Sequence, residues 1–396
     1  MRRMSLQRLA ASSAIVAFFV AVAAFPARTA RRPRYGGTLR VEIGAVIQSL
    51  DMSAAATTAG EAAARAQIDA LIYDRTNAQA AQPAAGPFRI SAWEPGKRLA
   101  LAANDDFPQG RPFVDAIEFT MGRTAKDRML DMELGKTDFI EIPQDQTRRA
   151  SDAGIRVSES KPDELLAILF AWGDGGGPSA AVREALAEAV DRATIVNFIL
   201  QKTGEPAGGL LPQWMSGTAF LFSIAADAAG AKAHGEELRA QNQPPVRVAL
   251  GYDSGDSVEE TVAERIVVDA QAVGISGTAR ALQQGTAPGS MPAGFDARIV
   301  RWRIPSAQPG AAMENFLAAF PEVAASAGDA CGAMGQVASA DGIYKCERAI
   351  VDARGIVPLA FLPEVYGLSA RVRDWVAPGP GGSWPLADVW LEGSAE

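Results

Sequence analysis

The sequence predicts an α/β protein built as two lobes. Three observations carry this. The chain has 396 residues, too many for one ordinary core, so two lobes or domains are the expectation. Apolar residues make up 48% and charged residues 21%, a balance typical of a folded globular chain that argues against disorder. The second half runs strand, helix, strand with short turns, the order of a βαβ unit around a parallel sheet.

The first element is a targeting segment. Arg2, Arg3 and Arg8 precede an uncharged, mostly apolar stretch from Leu9 to Ala27, and small residues Val22 and Ala24 suit a cleavage site. Residues 1–34 are therefore expected to be a secretory signal peptide or, if left uncleaved, an N-terminal anchor. Arg28, Arg31, Arg32 and Arg34 oppose translocation, yet export to the periplasm or the outer face of the cytoplasmic membrane remains the expectation. No cysteine lies near the segment, so no lipid anchor is expected there.

"RYGGTLRVEIG" reads as a strand entered from a turn, with Leu39, Val41 and Ile43 alternating with polar residues. "TTAGEAAARAQIDALIYD" is an Ala-rich helix carrying Ile68, Leu71 and Ile72, and "RTNAQAAQPAAGP" is a low-complexity connector. Phe88 and Ile90, the turn "EPGK", then Leu99 and Leu101 spell a hairpin, because proline presets φ and glycine takes the left-handed position. Asp105 and Asp106 then sit at a strand end, where carboxylates make turn hydrogen bonds more often than they do chemistry.

"KPDELLAILFAW" is an apolar strand. Gly175–Gly177 follow it as a crossover between lobes; they lack the Lys-Ser/Thr of a phosphate loop. Pro178 and Ser179 start a helix with Val182, Ala185, Leu186, Ala189 and Val190 inward. Asp191 caps a second helix bearing Ile195, Val196 and Ile199. "VRVALGY" is a strand, "VEETVAERIVVDAQAVGI" a helix stopped at Gly274, and "FDARIVRW" the next strand.

The residues offer little for catalysis. His234 is the one histidine and stands in a polar helix, so triads and zinc hydrolysis are disfavoured, and each carboxylate cluster has a turn or helix-surface explanation. No enzyme, cofactor or metal site is expected. A net charge of −8 without a basic stripe disfavours nucleic acid. Cys331 and Cys346, 15 apart in an exported chain, are compatible with one disulfide closing a short loop; two buried free thiols are the alternative.

In order, "GGTLRVEIG…QSLD", "GPFRISAWEPGKRLALAANDDF", "VREALAEAVDRATIV…GEPAGGLLPQWMSG", "VALGYDSGD…VAERIVVDAQAVGI", "FDARIVRW" and "VPLAFLPEVYGLSARVRDWVAPGPGG" resemble the family 5 extracytoplasmic solute-binding proteins. These are dipeptide- and oligopeptide-type receptors of ABC importers. The resemblance runs from Gly36 almost to the end. It implies a two-lobe, type II periplasmic-binding-protein-like fold with a hinge, closing on a small-molecule or peptide-like solute and presented to an ABC permease, as a monomer. Lobe one would comprise residues 35–172 and 356–396, and lobe two 173–355. Trp172, Asp174, Trp302, Arg303, Ser306 and Tyr366 would line the cleft.

Two departures from the family pattern bear on function. Where the family inserts a subdomain, between Tyr73-Asp74 and Gly86-Pro87, only a short linker remains. Where peptide-binding members place an Asp after the strand-ending Trp, to hold the ligand's ammonium, this chain has Trp302-Arg303-Ile304-Pro305. Alternation puts Arg301 and Arg303 on one strand face and Trp302 on the other. If the arginines face the cleft, an acidic or neutral solute is expected; if Trp302 does, an apolar or sugar-like one. Free di- and tripeptides are expected to bind poorly. The rival reading is a degenerate solute-binding fold serving as a structural or interaction protein of the envelope.

Overall fold

The computed structural model describes residues 32–51, 59–73, 86–171, 177–241, 246–283, 286, 289–332 and 339–393. From Tyr35 onward the chain builds two mixed sheets. The first half supplies β1 (Thr38–Glu42), helix α1 (Ala59–Ile72), β2 (Phe88–Glu94), β3 (Arg98–Ala103), β4 (Ala116–Thr120), helix α2 (Ala125–Glu133), β5 (Phe139–Glu141) and β6 (Arg156–Glu159). The second supplies β7 (Glu164–Phe170), α3 (Ala180–Ala189), β8 (Glu205–Pro206), α4 (Ala228–Gln241), β9 (Arg247–Asp253), α5 (Ser257–Ala272), β10 (Ser276–Leu282), β11 (Ala297–Arg303), α6 (Pro309–Ala319), α7 (Ala340–Asp352) and β12 (Ile356–Leu362). The tail adds β13 (Val365–Leu368), β14 (Val372–Arg373) and β15 (Trp390–Leu391).

The first sheet has the order β2-β3-β4-β1-β5-β13-β6. The predicted hairpin is present: β2 and β3 are antiparallel with Glu94 opposite Arg98, and Gly96 holds a φ of +71° in the turn. Asp105 and Asp106 pair with Arg111 and Arg89 at the exposed strand end, as the turn reading expects. The Gly86 amide donates to the Ile72 carbonyl at 2.8 Å. The two sides of the Ala/Gln connector thus meet directly; residues 74–85 themselves lie outside the described set.

The second sheet has the order β10-β9-β11-β7-β12-β8. Its βαβ portion is parallel, β9 with both β10 and β11, but β7 runs antiparallel to β11 and β12. All seven residues of β7 are buried. Leu166, Ile168 and Phe170 join one core and Leu165, Ala167 and Leu169 the other. An apolar run of this kind belongs at a sheet centre covered on both faces. It therefore sits in the second sheet, whereas the sequence reading had counted 164–172 with the first lobe. The returning tail divides in the same way: β12 pairs in the second sheet, and β13 and the residues after it pack in the first. Of the glycine run after β7, Gly175 and Gly176 lie outside the described residues; β7 and α3, on either side of the run, share one core.

Helix starts follow their capping residues. Ser179 Oγ accepts from the Val182 amide, and Asp191 from the Thr194 amide. Cys331 and Cys346 form a disulfide, with Cα atoms 4.4 Å apart, tying the end of a short helical turn to α7. On the same helix Glu347 is fully buried. Its Oε1 accepts the Leu210 and Leu211 amides, and its Oε2 has no partner. Burial pushes this carboxyl up to about 7, against the two amides.

Two expectations follow. In the chain-entropy description a loop of this length contributes about 3 kcal/mol, so Cys331→Ala should lower the urea midpoint and leave the protein insensitive to reductant. An unchanged midpoint would show that the bridge contributes nothing. For Glu347 the folded carboxyl binds its proton more tightly than the unfolded one. Its favourable contribution is complete below the ordinary value of 4.5 and is lost as pH rises to about 7. Glu347→Gln should then remove up to roughly 3 kcal/mol of the stability lost on raising the pH from 4 to 8. Parallel pH–stability curves for the two proteins would contradict this.

Candidate functional site

The chain passes between the sheets twice, at Ser160–Asp163 after β6 and at Pro363–Glu364 before β13. The two passages are bonded to each other. The Ser160 amide donates to the Glu364 carbonyl, the Glu364 amide to Ser160 Oγ, and the Asp163 amide to the Leu362 carbonyl, at 2.9, 2.9 and 3.0 Å. Asp163 is 2% exposed. Burial pushes its carboxyl up to about 7, although Arg303 draws it down.

Beside these passages a cleft of about 640 Å³ opens between residues held by the two sheets. Gly44, Thr124, Arg128, Glu141 and Gln144 line it from the first, and Glu164, Asp256, Ser257, Arg301 and Arg303 from the second. That volume suits a small solute. Strand β11 delivers the arginines by alternation: Val300 and Trp302 turn into the core, and Arg301 and Arg303 reach the cleft.

Neither arginine is a free positive charge. Arg301 bonds to Glu164 and to Asp256, the cap of α5, and its Nη2 lies 3.4 Å from Gln144 Oε1 across the cleft. Burial works against its charge, but the two carboxylates outweigh it and hold its proton more firmly than usual. Arg303 pairs with Glu364, which also accepts from the Tyr366 hydroxyl. Ser257 Oγ donates to Asp145 at 3.0 Å, a second bond from one side of the cleft to the other.

The expected cleft residues separate. Arg303 and Tyr366 line it, Tyr366 only 2% exposed with its hydroxyl bonded to Glu364 and Trp384. Trp302 does not: it is 5% exposed, packs edge-on to Phe316, and donates to Asn315 in the core. Ser306 caps the turn into α6, accepting from the Gln308 amide at 3.1 Å, away from the lining. Trp172 and Asp174 lie outside the described residues. Arg301, which alternation places on the same strand face as Arg303, reaches the cleft with it. Arg128 and Glu141 were not singled out; neither carries a local signal. His234 bonds to Glu188 on a helix away from the cleft. Among the described residues no group of three or more His, Cys, Asp and Glu could hold a metal.

The chain belongs to the bacterial extracellular solute-binding proteins, family 5, whose model matches residues 49–322. Members of that family are extracytoplasmic solute-binding proteins. Protein XP55 of Streptomyces lividans is 30% identical over 202 residues, covering 48% of this chain and 37% of that protein. The oligopeptide-binding protein AppA of Bacillus subtilis is 28% identical over 127 residues, 31% of this chain and 23% of AppA. The chain thus matches well under half the length of these relatives. Among solved structures, the ABC transporter substrate-binding protein CtaP of Listeria monocytogenes superposes with a TM-score of 0.65 at 17% identity, over 78% of this chain and 66% of that one. NikA of Staphylococcus aureus, in complex with Ni(L-His)2, gives 0.64 at 16% identity, over 81% and 72%. These likenesses establish the two-lobe α/β fold.

The different exposures of the two β11 arginines lead to different costs. Arg301→Met strands Glu164 and Asp256 and should cost about 3 kcal/mol in urea denaturation; Arg303→Met removes a half-exposed arginine and leaves Glu364 its bond from the Tyr366 hydroxyl, and should cost under about 1 kcal/mol. Equal costs would mean that the Arg301 network does not anchor this wall.

Proposed function

We propose that the protein is an extracytoplasmic receptor that binds a small or peptide-like solute in this cleft and presents it to an ABC-type permease. The single observation that carries the reading is the cleft itself, lined from both sheets and placed beside the two bonded passages of the chain. The lobes are taken as residues 35–163 with 363–396, and 164–362, following sheet membership. Closure about Ser160–Asp163 and Pro363–Glu364 would bury the solute and create the face a membrane partner reads. The basic-then-apolar order of residues 1–34 supports export by a signal peptide or attachment by an uncleaved anchor; no helix among the described residues is long and apolar enough to cross a membrane.

One observation favours a second reading. Three of the four cleft guanidiniums already pair with carboxylates of the protein, as in a degenerate cleft kept for envelope structure or protein interaction. Native mass spectrometry of gently purified protein separates the two. The receptor reading predicts one retained small molecule per chain, released on denaturation and reduced in Gln144→Ala. Protein that is bare under all growth conditions, and takes up nothing from a small-molecule extract of the medium, would contradict it.

A further inference from the structure

Every guanidinium among the described residues of the cleft wall has its counter-charge within the protein. Arg123 pairs with Asp131, and Glu42 lies 3.9 Å from its Nε. Arg301 pairs with Glu164 and Asp256, and Arg303 with Glu364. Arg128 donates to the Arg123 and Glu141 carbonyls at 2.7 and 3.1 Å, and the carboxylates of Glu141 and Glu42 balance its charge. The described lining holds four arginines and four acidic side chains, so its charges cancel. The hydroxyl donors are engaged as well. Thr124 donates to Asp127, Ser257 to Asp145 and Tyr366 to Glu364.

An ion that enters such a cleft gives up its hydration and regains the loss only against a counter-charge not already engaged. A carboxylate or phosphate would reach Arg301 or Arg303 by displacing the wall's own carboxylate, which would stay in the wall as a like charge beside it. An ammonium would displace a guanidinium with the same result. Each exchange breaks one charged pair to make another and leaves no net attraction. A zwitterion such as a free peptide would require both exchanges at once. An uncharged solute requires neither. An ionised carboxyl accepts at about four positions, so a wall carboxylate that holds a guanidinium keeps lone pairs for a hydroxyl or amide hydrogen.

We propose that the cleft selects an uncharged, hydrogen-bonding solute, one with no free amino group, carboxylate or phosphate. The inference rests on the solute-binding reading and assigns the electrical character of the ligand.

The test uses the full chain, stripped of solute by unfolding and refolding. A small-molecule extract of the medium is passed through a mixed-bed resin in its proton and hydroxide forms, which retains anions, cations and zwitterions. Thermal unfolding is then followed in one buffer with the untreated extract, the flow-through and the material eluted from the resin. The flow-through should raise the melting temperature as far as the untreated extract does, and the eluate should leave it unchanged. Because no counter-charge is engaged, raising the salt about tenfold should move the midpoint of the flow-through titration by less than about twofold. Gln144→Ala, in the cleft wall, should weaken the effect of the flow-through. A shift produced by the eluate, or an equal response of wild type and Gln144→Ala to the flow-through, would overturn the inference. The comparison of flow-through with eluate is made on the wild type and decides even if the variant does not fold. A shift from the eluate alone would leave the receptor reading standing, whereas no shift with any of the three would overturn both.

Discussion

Two sheets with separate cores are joined in this protein by two short passages of chain, and those passages are hydrogen-bonded to each other. Ser160 and Glu364 exchange bonds through the Ser160 amide and the Ser160 hydroxyl, and Asp163 and Leu362 close the same junction. Backbone groups that leave one sheet and have not yet entered the next need partners; here each passage supplies them to the other. The position of the cleft follows, since it opens beside the junction. So does its composition, because Glu164, Glu364 and Tyr366 adjoin the passages and line the wall.

The junction also explains the arrangement of charge. Arg301 and Arg303 reach the cleft from β11, beside the strand that leaves the first passage. Glu164 and Glu364, one at each passage, meet them. The pairing neutralises two arginines that would otherwise dominate the field of the cleft. Buried pairs of this kind are weak sources of net stability but costly to break, so they fix the wall and leave recognition to groups not already satisfied.

Much of the fold was legible in the sequence because its signals are local. The hairpin around Pro95-Gly96, the caps at Ser179 and Asp191, the helix stop at Gly274 and the alternation of Arg301, Trp302 and Arg303 all depend on neighbours a few residues away. The errors lie where a strand had to be given to a sheet. Strands β7 and β12 follow and precede first-lobe elements in the chain, yet their uniform apolar character suits the centre of the second sheet, and periodicity carries no information about the partner strand. Trp302 was misplaced for a related reason: the face it occupies was correctly separated from that of the arginines, but which face met the cleft depended on the packing of Phe316 and Asn315. Arg128 was invisible altogether. Its place in the cleft wall depends on carbonyls at 123 and 141 and a glycine at 44, which only the folded chain brings together.

The central claim is that the two bonded passages act as a hinge for a cleft that closes on a solute. Spin labels at Lys126 on α2 and Glu260 on α5, both exposed and on opposite sides of the cleft, report it directly by pulsed electron-spin distance measurement. The account predicts a broad distance distribution in solute-stripped protein that narrows and moves to shorter distances when a small-molecule extract of the medium is added. A single unchanged distance under both conditions would contradict it.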